Sequence, residues 1–265
     1  MSTRIHPTAV VHPNAEIGEE VEIGPYAVIG PEVRIGEGTV IQSHVRIEGR
    51  VTIGAHNFIA HAAAIGMPPQ DLTYQGEATE VVIGDHNQIR EFVTIHRATG
   101  EGQRTEIGDH NFLMAYAHVA HNCRVGSHVI LVNNAQLAGH VVVEDYAFVS
   151  GLVGVHQFTR IGAHSMVGGM SRINQDVPPF MLVEGNPPRV YGPNLVGLRR
   201  RGFSREVIQA LKEAYRLIWR TPGLTTEEAL QRLTASFGAL AEIQHLVHFF
   251  RTSRRGVIKR AGGKR

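Results

Sequence analysis

Val119-Ala-His-Asn-Cys-Arg-Val125-Gly-Ser-His-Val-Ile-Leu131-Val-Asn-Asn-Ala-Gln-Leu137-Ala-Gly-His-Val-Val-Val143 sets an aliphatic residue at every sixth position. The register extends in both directions. Stepping by six from Ile5, every position up to Ile65 is Ile or Val. It returns at Ile83, Ile89 and Ile95, then runs unbroken from Ile107 to Ile173, with Asp71, Glu77 and Glu101 as the interruptions. A period of six fits neither the 3.6 of a helix nor a plain alternating strand. It is the signature of a parallel β-helix, in which each hexad makes one flat side of a triangular coil and three hexads close a turn.

With eighteen residues per turn, Val119, Leu137 and Val155 fall in one column. His121, His140 and His156 follow them by two, three and one positions, so the spacing predicts three imidazoles on one side of the prism. His118 is predicted at the adjoining corner. The hexad fails near 67–80 and again near 98–104, and both departures span multiples of six. They read as loops thrown out from corners, and loops of that length on a rigid scaffold tend to carry function. Asp71 is the carboxylate of interest in the first.

The prolines after Asp176 predict the end of the ladder. From Ser204 the apolar period turns helical, with Ser204 as N-cap, a capping box at Thr225 and Glu228 opening a second helix, and a third over 239–250. The basic run Arg251, Arg254, Arg255, Lys259, Arg260, Lys264 and Arg265 reads as a frayed tail. The fold class is therefore mainly β, a β-helix over 1–190 followed by a small α-helical domain over 191–265. Flat prism sides invite three copies to pack about a threefold axis, and a cleft between neighbours could hold the histidines.

Composition narrows the function. The chain has 265 residues and a net charge of +2, too mild a balance to argue for nucleic acid. A lone cysteine, Cys123, excludes an internal disulfide. The N-terminus has no apolar signal-like core and no stretch is long enough to span a bilayer, so the expected compartment is the cytoplasm.

Several runs together resemble one enzyme family: Gln70-Asp71-Leu72, Val93-Thr94-Ile95-His96-Arg97, His118-Val119-Ala120-His121-Asn122-Cys123, Leu137-Ala138-Gly139-His140, Val155-His156-Gln157-Phe158, Asp176-Val177-Pro178-Pro179 and Arg200-Arg201-Gly202-Phe203-Ser204. They are similar to the UDP-N-acetylglucosamine O-acyltransferases. That resemblance implies a left-handed coil, a homotrimer and no cofactor or metal. It also implies transfer of a 3-hydroxyacyl chain from acyl carrier protein to the glucosamine 3-hydroxyl, the first step of lipid A biosynthesis.

By the same resemblance His121 is the general base, Gly139 supplies an oxyanion N–H, and Asp71 lies near the sugar hydroxyl. Gln70, His118, Asn122, His140, His156 and Gln157 match the sugar and phosphate pocket. Asn194, Arg200 and Arg201 match the nucleotide end, and Gly169, flanked by Met166 and Met170, matches the position that sets acyl length. Three positions depart from the family pattern: Asn122 stands where an aspartate follows the base, Val196 replaces an acidic residue, and Thr73 replaces a lysine. The acceptor is left open between the 3-hydroxyl sugar and its 3-amino analogue. The basic C-terminal region suits an acidic carrier protein.

Three other functions fit the sequence less well. A zinc-dependent carbonic anhydrase on the same prism needs two histidines five apart on one coil with a suitable third, and no such set is present. The later N-acyltransferase of the same pathway carries an extra N-terminal domain, whereas here the hexads begin at Ile5. A non-catalytic solenoid needs neither the Asp71 loop nor grouped histidines.

Overall fold

Residues 2–263 are described in a computed structural model; Met1, Lys264 and Arg265, the last two belonging to the basic tail, lie outside them. The chain coils as a left-handed parallel β-helix whose short strands stack into three sheets of eleven, nine and eight strands. We call these faces A, B and C in the order in which the chain meets them.

The hexad aliphatics are the interior. On face B, Ile47, Ile65, Ile95, Val119, Leu137, Val155 and Ile173 pair in strict register, one per turn. Each is buried, and burial of one such side chain contributes on the order of 2 kcal/mol. The column tolerates little else, because a one-residue slip would turn every aliphatic outward. Corner residues adopt left-handed backbone angles, as at Asn122 (φ 59°) and His140 (φ 60°).

Both excursions leave from the same corner. The first lies between Ile65 on face B and Ile83 on face C, the second between Ile95 on face B and Ile107 on face C. His121 and His140 occupy that B–C corner on the turns above. The excursions are tied to each other and to the coil. Glu77 accepts N–H groups from Gly100 and Gln75, each at 2.8 Å. Arg97 donates to the Gly66 carbonyl at 2.9 Å and to the Tyr74 hydroxyl at 3.1 Å.

The ladder does not stop at the prolines. Pro179 sits in a turn, where its missing N–H costs no ladder bond. Beyond it Met181–Glu184 adds a parallel strand to face A, and Arg189–Pro193 folds back antiparallel on that strand. Four helices follow: α1 (Leu195–Arg200), α2 (Arg205–Arg220), α3 (Thr226–Phe237) and α4 (Ala241–Arg251). The caps at Ser204 and Thr225 form as the sequence predicts, the latter as a full capping box. The short α1 was not anticipated.

The tail is not frayed. Val257 and Ile258 are buried, and backbone bonds tie the segment to Asp176 and Val190. The Trp219 indole donates to the Ile258 carbonyl at 2.9 Å. Asp176, itself buried, accepts from the Arg160 backbone N–H at 2.8 Å and guanidinium at 3.2 Å, and from the Ser253 hydroxyl at 2.8 Å. Two apolar residues among many basic ones are enough to fasten the strap. Among the described residues no helix is long and apolar enough to cross a membrane.

Candidate active site

On face B the residue before each buried aliphatic points outward, and these outward residues stack as the aliphatics do. His118, Gln136, Gly154 and Arg172 form that column. His118 therefore lies on the face itself, in the strand His118–Val119, and not at the corner where its position in the hexad first suggested. Nothing stands within 4 Å of where a side chain on Gly154 would begin, so the column opens there into a groove. The groove holds about 530 Å³ and runs beside Gln70, His118, His121, Gly139, His156 and Gln157.

His121 occupies the groove's wall at the B–C corner. Its Nε2 stands 3.9 Å from Asp71 Oδ2, and its Nδ1 is 2.9 Å from Asn122 Oδ1. The His140 ring packs edge-on at 5.3 Å between centroids. Gly139 passes directly beneath: a Cβ there would overlap Cε1 and Nε2 of His121. Only glycine lets the main chain come that close. The Gly139 N–H makes no backbone hydrogen bond among the described residues, whereas those of Ala138 and His140 on either side donate to neighbouring turns. His156 is exposed on the next turn, its Nδ1 near its neighbour's carbonyl.

Burial, followed by the nearby His121, keeps His140 below the ordinary imidazole range. His118 is lowered by burial, partly held up by the Thr94 main chain and lowered a little further by His121; separately, the Thr94 hydroxyl lies 2.7 Å from its Nδ1. Behind it His96 is buried deeply enough to be pushed down to about 4. These rings are neutral near pH 7 and so can act as bases or hydrogen-bond partners. Asp71 is lowered chiefly by the amide and hydroxyl of Thr73, with His121 a smaller contributor, and remains a carboxylate. The His121 imidazole, a fixed carboxylate and a backbone N–H without a backbone partner, close together, suit proton transfer to and from an acyl centre.

The remaining candidates lie elsewhere on the chain. Asn194, Arg200 and Arg201 line a second cleft, about 780 Å³, on face A, walled by Phe148, Met166 and Leu182. Asn194 caps α1 through the Gly197 N–H at 3.2 Å and donates to the His164 carbonyl at 3.1 Å. The Arg201 guanidinium lies 4.2 Å over the Tyr146 ring. Gly169 and Met170 sit at the A–B corner, where Met170 is exposed. Within one chain these residues do not meet His121. Gln136, Gly154 and Arg172 were not singled out from the sequence, although eighteen-residue stacking applied to the position before each aliphatic aligns them with His118.

Comparison with known proteins decides the family. A model described as UDP N-acetylglucosamine O-acyltransferase, domain 2, matches residues 176–258, and the bacterial transferase hexapeptide model matches 2–31 and 104–139. The acyl-[acyl-carrier-protein]–UDP-N-acetylglucosamine O-acyltransferase of Halorhodospira halophila is 53% identical over 258 residues, covering 97% of this chain and 100% of that one. This chain belongs to that enzyme family. The relative from Burkholderia lata is also 53% identical, over 262 residues, with the same coverage. Among solved structures, the UDP-N-acetylglucosamine acyltransferase from Bacteroides fragilis superposes with a TM-score of 0.93 at 42% identity, covering 96% of this chain and 99% of that one. The Acinetobacter baumannii structure gives 0.92 at 44%, with the same coverage. The hexapeptide acyltransferase fold and an acyltransferase activity follow for this chain.

Proposed function

We propose that this acyltransferase moves a 3-hydroxyacyl chain from acyl carrier protein to the 3-hydroxyl of UDP-N-acetylglucosamine, with His121 as general base. The observation that supports this reading is the approach of Gly139 beneath the His121 ring, which brings an imidazole close to a residue whose N–H has no backbone partner among the described residues. His121 Nε2 takes the proton as the sugar oxygen attacks the thioester carbonyl. The Gly139 N–H receives the oxyanion that forms. Collapse breaks the C–S bond, and the imidazolium returns its proton to the leaving thiolate, so the base is regenerated and an ester is released. Asp71 orients the hydroxyl and favours the transient imidazolium. The product enters lipid A synthesis.

The working unit in this reading is a homotrimer. Five exposed large hydrophobics, Tyr26, Phe92, Tyr116, Leu152 and Met170, fall at the A–B corner, which His44, Ala62 and Asn134 occupy on the remaining turns between them. A stripe of that kind marks a contact surface. Three prisms meeting along it turn face A of each towards face B of the next. The Asn194, Arg200 and Arg201 cleft of one copy then opposes the His118, His121 and His156 groove of its neighbour. Paired guanidinium donors suit a diphosphate, and the apolar wall with Met166 suits an acyl chain. The domain division at 190/191, with the helical part and its basic strap meeting the carrier protein, belongs to the same proposal.

Mass spectrometry of the product tests it directly. The enzyme is given a mixed pool of acyl carrier protein thioesters with both UDP-N-acetylglucosamine and its 3-amino analogue. A 3-O-(3-hydroxyacyl) sugar nucleotide is expected. Acylation of neither sugar would refute the substrate assignment, and exclusive amide formation would reassign the acceptor.

A further inference from the structure

The second excursion makes one contact with the site whose geometry leaves little freedom. The Asn122 side chain forms two hydrogen bonds with the main chain of a single residue, Thr99. Its Oδ1 accepts the Thr99 N–H at 3.0 Å and its Nδ2 donates to the Thr99 carbonyl at 3.0 Å. The Asn122 backbone is fixed as well, by its left-handed corner conformation and by an N–H bond to the Thr105 hydroxyl at 2.9 Å.

An asparagine amide can ordinarily be turned over, exchanging oxygen for nitrogen at little cost. Here it cannot. A backbone N–H only donates and a backbone carbonyl only accepts, so the flipped amide would lose both bonds and place like against like. The orientation of the amide therefore follows from the chemistry of Thr99. With that orientation set, the atom 2.9 Å from His121 Nδ1 is an acceptor. The proton of the neutral ring must then sit on Nδ1, leaving the Nε2 lone pair directed towards Asp71 and Gly139.

We propose that Thr99 is a positioning residue: its main chain locks the Asn122 amide, and through it the tautomer that makes His121 Nε2 a base. The catalytic value of this lock rests on the acyl-transfer reading above, while the lock itself does not. It also gives the second excursion a task. An amide held from both sides presents its oxygen to the ring without the negative charge an aspartate would bring. The family's aspartate at this position, by contrast, would have no donor to offer the Thr99 carbonyl.

The test uses full-length enzyme labelled with ¹⁵N-histidine, with the His121 resonances assigned from the spectrum of a His121→Gln variant. Near neutral pH and without substrate, wild type is expected to carry the His121 proton on Nδ1. Thr99→Pro deletes the N–H half of the lock. Should proline distort the excursion, replacing the Thr99 amide by an ester through its α-hydroxy analogue removes the same hydrogen with the backbone otherwise kept. Either change is expected to give a mixture of His121 tautomers. It should also lower kcat on the order of 10²-fold, the low end of what a general base contributes, while KM for the sugar nucleotide moves less than about twofold. Asn122→Asp keeps an acceptor facing Nδ1 and should retain the wild-type tautomer. A wild-type proton on Nε2, or a wild-type tautomer and kcat in the ester variant, would overturn the proposal. Because the spectrum needs no substrate, inactivity of wild type towards UDP-N-acetylglucosamine would count against the function and leave the tautomer result standing.

Discussion

Gly139 and His121 are separated by so little space that no Cβ fits between them. The two residues belong to consecutive turns of the coil, and the His140 N–H bonds back to the His121 carbonyl at 3.0 Å. The His121 main chain is thus tied to the turn that carries the Gly139 N–H. Gly139→Ala must push the imidazole away from that point. Turnover is expected to fall by more than about 10²-fold, since a displacement near 1 Å at a catalytic group is already that costly. The melting temperature should change little, because the ring can swing into the groove. Unchanged turnover in this variant would contradict the oxyanion role of the Gly139 N–H.

Glu77 joins the two excursions through the Gly100 N–H. Removing its carboxylate in Glu77→Ala frees that N–H and the Gln75 N–H together. Hydrogen exchange of residues 68–79 is expected to accelerate while the coil strands keep their protection, since the excursions lie outside the ladder. KM for the sugar nucleotide should rise several-fold as Asp71 loses its fixed position. Exchange rates equal to wild type would show that the latch does not hold the loop.

His96 gives the fold an acid limit. Unfolded, its imidazole takes a proton near the ordinary 6.5; folded, burial first, then the nearby His118 and His121, delay protonation to about 4. The unfolded chain therefore binds the extra proton throughout that window, and stability falls as pH drops from 6.5 towards 4. The full effect is on the order of 3 kcal/mol. His164, lowered to about 4 mainly by burial, acts in the same direction. Urea unfolding at several pH values should show this slope, and His96→Phe should flatten part of it. An unaltered slope in the variant would mean that His96 is protonated alike in both states.

How much of this was legible beforehand depended on which atoms did the work. The coil was legible because the column of every sixth residue is filled almost throughout by aliphatics, so Ile5 to Ile173 spell the period. His121, His140 and His156 could be grouped because stacking every eighteen residues is a property of the period itself. The hexad alone makes His118, just before Val119, the end of a side and so a corner residue, whereas in the strand that position faces outward. The strap was missed because Val257 and Ile258 are only two apolar residues in a basic run. Thr99 was invisible for a different reason: it acts through main-chain groups that every residue except proline possesses. Asn194 and Arg201 lie apart from His121 within one chain; the proposed trimer would bring them together between copies, and no spacing within one chain encodes that.

The account depends on His121 of one copy and Arg201 of another serving the same substrate, and subunit mixing measures this most directly. His121→Ala alone is expected to lose about 10²–10⁴-fold in kcat with the fold intact, and Arg201→Ala alone at least about tenfold in kcat/KM. In trimers assembled from equal amounts of the two variants, about a quarter of the seams combine an intact His121 with an intact Arg201. Activity in the mixture should therefore rise to about that fraction of wild type, well above the average of the two variants measured separately. A mixture no more active than that average would contradict a site shared between copies.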